Sequence, residues 1–114
     1  MNDQTNNYSS EFACKWDAIP QEDRSRHSAV TEQLFHSVKQ VKELSDGFAF
    51  ELPSNALTLR QAAEFISREM LCCPFFRLVL EVEPESGRVW LKLTGKEGVK
   101  HFIHAELRQF VCDT

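Results

Sequence analysis

The feature that most constrains this chain is the proline inside "SREMLCCPFFRLVLEV". Upstream of it Leu59, Ala62, Ala63, Ile66, Met70 and Cys73 recur at the three-to-four-residue spacing of one helix face. Downstream, Phe76, Leu78, Leu80 and Val82 alternate with Phe75, Arg77, Val79, Glu81 and Glu83, which is the two-residue period of a strand. A residue before proline is pushed out of the α region, so Pro74 ends the helix and the strand follows at once. Any fold for this chain must turn a helix directly into a core strand at two adjacent cysteines, Cys72 and Cys73.

The other elements follow from the same two periods. Pro20 suits a first helical position, with Glu22 and Asp23 set favourably against the helix dipole, and a helix is expected from about residue 20 to 35 with Val30 and Leu34 inward. Asp46-Gly47 is a favoured hairpin turn, and Phe48, Phe50 and Leu52 alternate after it, so strands are expected at about 38–44 and 48–52. A first helix running on to Leu44, through Val38 and Val41, is the alternative. Thr58 with Gln61 forms a capping box for the second helix, unless Ser54 or Asn55 caps an earlier start. Residues 84–87 make a turn, Val89, Leu91 and Leu93 line a returning strand, and Thr94 with Glu97 offers a box for a last helix bearing Val99, Phe102, Ile103, Glu106, Leu107 and Phe110. The expected fold is α+β, a two-layer sandwich in the order α-β-β-α-β-β-α: an antiparallel four-stranded sheet with helices mainly on one face.

With 114 residues, 42% of them hydrophobic, the chain has room for one core. The polar opening "MNDQTNNYSS" reads as a disordered tail over residues 1–10, and residues 11–114 as a single domain. Thirteen basic against seventeen acidic side chains leave a net charge of −4, with no basic stripe to favour nucleic acid or an anionic membrane. No apolar run approaches the roughly 18 residues of a membrane span, and the amino terminus has no charged-then-apolar signal pattern. The expected compartment is the cytoplasm. In that reducing setting Cys14, Cys72, Cys73 and Cys112 are read as thiols rather than as a disulfide framework.

The cysteine pair sits at a helix carboxy terminus, where the negative end of the dipole works against a thiolate, and this counts against a cysteine nucleophile. Free cysteine is also a common core residue, so Cys73 reads equally well as packing on the buried stripe. The signal beyond packing is Glu69, one turn before both cysteines. A partly buried carboxylate needs a cation, a metal or a proton, and Arg24, Arg77 and His27 are candidate counter-charges. If the segment "FACKW" folds back, Cys14, Cys72, Cys73 and Glu69 converge into a set suited to Zn²⁺, Cu(I) or Hg²⁺. The long gap from Cys14 to Cys72 carries no specificity of its own.

Other motifs carry less. His101 and His104 share a helix face without the pattern of a zinc protease, and "TGKEG" lacks the spacing of a phosphate-binding loop. Trp16 and Trp90 read as packing residues, and Cys112 as incidental.

The run "REMLCCPFFRLVLEVEPESGRVWLKLTGKEGVKHFIHAEL" resembles the carboxy-terminal half of a family of small, largely uncharacterised bacterial proteins. They carry Glu-x-x-Cys-Cys-Pro-Phe, a hairpin, and Leu-Thr-Gly-x-x-Gly before a closing helix. The resemblance extends over most of residues 12–107 and matches Cys14, Arg24, Glu69, Cys72, Cys73, Pro74, Phe75, Thr94 and Gly95. It implies an association with MerR-like metal-responsive regulators, hence a regulatory protein partner, and it supplies no reaction. The functional expectation is a cytoplasmic thiol-based module for metal binding or metal and thiol-stress sensing. Its metal residues are Cys14, Cys72, Cys73 and Glu69, with Arg24 as the charge partner of Glu69 and zinc or another thiophilic ion as cofactor. The alternative is a non-enzymatic interaction or effector domain with structural cysteines.

Overall fold

The computed structural model describes residues 12–107. Within them the elements run α1 (Gln21–His36), β1 (Gln40–Leu44), β2 (Gly47–Leu52), α2 (Ala56–Cys72), β3 (Arg77–Val82), β4 (Val89–Thr94) and α3 (Val99–Glu106), preceded by a short 3-10 turn at Trp16–Ala18. This is the expected α+β order. The tail over residues 1–10, Phe110 and Cys112 lie outside the described residues.

The four strands form one antiparallel sheet in the order β1-β2-β4-β3. Each hairpin contributes one edge and one central strand, and β4 is inserted between β2 and β3. The register places Phe50 opposite Leu91 and Leu91 opposite Leu80. Alternation then puts Phe48, Phe50, Leu52, Leu91 and Leu93 on one face, where they are buried with Val30, Leu34 and Phe35 of α1, Ala62 and Phe65 of α2 and Val99 and Ile103 of α3. The opposite face is covered by long polar side chains instead of helices. Lys42 lies over the Trp90 ring at 4.7 Å, Trp90 Nε1 donates to Glu83, and Lys92 pairs with Glu81. Their aliphatic stems bury Trp90 while the charges stay in water, so Trp90 is a packing residue as expected. Trp16, by contrast, is exposed.

Several local expectations are displaced for identifiable reasons. The first hairpin turns on Ser45 and Asp46, not on Asp46-Gly47: Gly47 already pairs with Leu44 in β2, and neither Asp46 nor Gly47 has positive φ. Glycine is needed there because a Cβ would overlap the Leu93 carbonyl and stand 2.8 Å from Thr94 Cα on the neighbouring strand. The helix alternative to β1 does not form. Asn55 caps α2, its Oδ1 accepting from Thr58 N–H at 2.8 Å, in place of the Thr58 box. Thr94 ends β4 instead of opening α3, which starts after Gly98 at φ 97 with no side-chain cap. The buried row of α2 is Thr58, Ala62, Phe65 and Cys72, while Met70 is exposed. The helix is therefore rotated from the expected stripe toward Cys72.

That rotation is matched by pairs bridging α1 and α2. Arg26 donates through Nε and Nη2 to the two oxygens of Glu64 at 2.7 and 2.9 Å, and Arg68 reaches Glu64 from the next turn of α2. Hydrogen bonds from Arg26 and then Arg68 hold the Glu64 carboxyl down at about 2. A depressed carboxyl stabilises the fold above its unfolded pKa and loses that contribution as pH falls through the folded value. Glu64→Gln should therefore cost about 1 kcal/mol at neutral pH, after allowance for solvent screening. The gap to the wild type should narrow between about pH 4.5 and pH 2, as measured by urea unfolding at several pH values.

Candidate thiol site

The site is built by the way α2 ends. Pro74 cannot donate to the helix ladder, and Cys73 before it leaves the α region at φ −128 and ψ 71 while its own N–H still bonds Glu69 O at 2.7 Å. Cys72 is thus the last helical residue and Cys73 the cap. Both are buried, in a small cluster with Ile19 against Phe75 and Phe76.

The segment before α1 folds back over this end. Phe12 is buried against Phe75, ring centroids 5.4 Å apart, and beside Gly98, where a Cβ would come within 2.8 Å of its ring. Lys15 N–H donates to Cys72 O at 2.6 Å, satisfying a carbonyl that the helix end would otherwise leave open. Arg24 Nε donates to Ile19 O at 3.0 Å and holds the turn into α1. These contacts bring Cys14 onto the helix end. The three sulfurs of Cys14, Cys72 and Cys73 lie within 4.8 Å of one another, and they are the one such group of potential ligands found among the described residues.

Two expectations are corrected here. Cys14 and Cys73 are not separate thiols but form a disulfide across 59 residues of sequence, leaving Cys72 as the free thiol among the described residues, buried and 3.7 Å from Cys73 Sγ. Closing a loop of that length disfavours the unfolded chain by on the order of 4 kcal/mol in the chain-entropy model. Sequence alone could not reveal it, because the pairing depends on the fold-back. Arg24, expected beside Glu69, instead serves the Ile19 carbonyl and stands 3.9 Å from Asp17. The partner of Glu69 is His27, whose Nε2 lies 2.9 Å from Oε1. His27 is itself buried and stacks on Phe65 at 5.7 Å. Its signal was present in the sequence: it lies three residues before Val30 and seven before Leu34, on their helical row. His101 and His104 are not part of the cluster.

Burial, and next the negative charge of Glu69, push the Cys72 thiol up to about 11. The direction matches the helix-end argument, but desolvation is the larger cause. A thiol so protonated at neutral pH is a poor nucleophile and needs a metal ion to displace its proton. The described residues also contain no helix long and apolar enough to cross a membrane.

Comparison with protein-family models, curated proteins and solved structures found no match for this chain. The functional reading consequently rests on the site itself.

The Cys72 environment makes a direct prediction. In native protein with the disulfide intact, iodoacetamide should label Cys72 slowly at pH 8, at least about tenfold below a free cysteine. Glu69→Gln should raise that rate at the same pH by removing the adjacent negative charge. Rapid labelling of the wild type near pH 6.5, followed by mass spectrometry, would instead identify a working nucleophile.

Proposed function

We propose that this protein is a cytoplasmic thiol-based sensing module with two states of one cluster. In the reduced state Cys14, Cys72 and Cys73 hold a thiophilic ion, for which Zn²⁺ is the reference case. In the oxidised state Cys14 and Cys73 are joined and the ligand set is reduced to Cys72. The observation that carries the reading is the mutual approach of three sulfurs within 4.8 Å, two of them already bonded. Thiolates bound to one zinc at about 2.3 Å each can stand no more than about 4.6 Å apart, so reduction requires only a small adjustment to close around an ion. A dithiol supplies the two electrons and two protons that convert the disulfide to two thiols. A peroxide or a small-molecule disulfide accepts them in the reverse direction.

Glu69 supports this arrangement as the anchor of His27, with its charge beside Cys72. It is not needed as a fourth ligand, a position that solvent or a partner can supply. Because each thiol must lose its proton to bind, affinity should rise with pH across the neutral range. The exposed Met70 and Leu71 on the outer side of the helix end, with Trp16 exposed in the fold-back segment, offer a surface whose shape changes with the cluster. A regulatory protein partner would read the state there. An interaction domain with purely structural cysteines is the competing account, and it gives the cluster no ligand response.

The experiment is a competitive Zn²⁺ titration of the full chain. Reduced wild type should bind one equivalent, oxidised wild type at least about a hundredfold more weakly, and reduced Cys72→Ala more weakly by a similar factor, since each thiolate contributes directly to the ion. Equal weak binding by all three would refute the proposal and favour structural cysteines.

A further inference from the structure

A cavity of about 450 Å³ opens beside the cysteine cluster, between α1, α2 and α3, within the size range of small-molecule sites. Cys14 and Cys72 lie at one side of it, but most of its wall has no role in the thiol chemistry. Phe35, Phe65, Phe76 and Phe102 make it aromatic, and its charged lining is Glu32, Glu69 and Glu106, with no lysine or arginine among the described lining residues.

Two polar atoms on this wall lack a protein partner. His27 Nδ1 and Thr31 Oγ1, one turn apart on α1, are both buried and make no hydrogen bond. Glu69 Oε1 lies 2.9 Å from Nε2 and occupies that nitrogen. Nδ1 is then the remaining polar atom of the ring, and it has no partner. A buried polar atom left unpaired destabilises the fold, and a ligand that pairs it recovers that cost on binding.

We infer that this cavity binds a small organic amine, with an aromatic or branched apolar body and a protonated nitrogen. The body lies among the phenylalanines. The ammonium N–H groups donate to His27 Nδ1 and Thr31 Oγ1, and the three carboxylates offset the positive charge. The same carboxylates exclude an organic anion of equal size. The inference stands apart from the metal reading, because it uses neither the sulfurs nor their oxidation state.

The test uses the full chain with its disulfide intact and metal removed by EDTA, titrated by calorimetry with 2-phenylethylamine, 2-phenylethanol and phenylacetate. The amine should bind at least about tenfold more tightly than the alcohol, and the anion not measurably, given the cost of unpaired charge and lost hydrogen bonds. Thr31→Val, which keeps the shape, should weaken the amine by about fivefold while its melting temperature stays level or rises, because a buried unpaired hydroxyl is removed. Two results would overturn the inference. One is indistinguishable or absent binding of all three compounds. The other is an imidazole ¹⁵N spectrum showing Nδ1 already hydrogen-bonded to Thr31 in the free protein and unchanged by the amine.

Discussion

A proline can neither donate to a helix ladder nor leave the residue before it in the α region, and at Pro74 that constraint sets the geometry of the whole site. It makes Cys72 the last helical residue and Cys73 the cap, and it leaves their sulfurs 3.7 Å apart in one cluster with Ile19. Cys73 meets the segment that enters from the amino terminus. The same stop launches β3 immediately, which ties the helix end to an edge of the sheet. Without the break, α2 would continue and the two sulfurs would diverge around its surface.

The amino-terminal segment then converts a helix end into a site. Phe12 anchors it in the aromatic cluster, the Lys15 amide caps the Cys72 carbonyl, and Arg24 braces Ile19. These are ordinary packing and capping interactions, yet together they deliver a third sulfur to the other two. The electrostatics also fit a metal-activated set better than a nucleophile. Burial and Glu69 keep Cys72 protonated, so a cation that displaces its proton gains what a substrate carbon could not. His27 secures Glu69 from the facing helix, and that contact makes α1 part of the site's frame.

The order of elements and the layered plan were legible because they depend on local periodicity: a period near 3.6 before Pro74, a period of two after it, and turn residues between strands. What escaped was set by contacts distant in sequence. Gly47 looked like a turn residue, but its requirement comes from β4, a strand more than forty residues away. Thr94 looked like a cap, but it is paired in the sheet, and Gly98 performs the turn. The α2 stripe was displaced because Met70 and Cys72 both fit an apolar pattern and only the position of α1 decides between them. For the site, the three cysteines that cluster could be selected from the sequence, whereas Glu69, selected with them as a ligand, lies outside that group and meets His27. The Cys14–Cys73 bond and the choice of His27 over Arg24 required the fold-back and the helix pairing.

The central claim is that one cluster of three sulfurs serves both a bonded pair and a metal ion. X-ray absorption at the zinc edge of the reduced, metal-loaded protein tests it most directly. Three sulfur neighbours at about 2.3 Å are predicted, with any remaining neighbour a light atom. A first shell of oxygen and nitrogen with one sulfur or none would contradict the account.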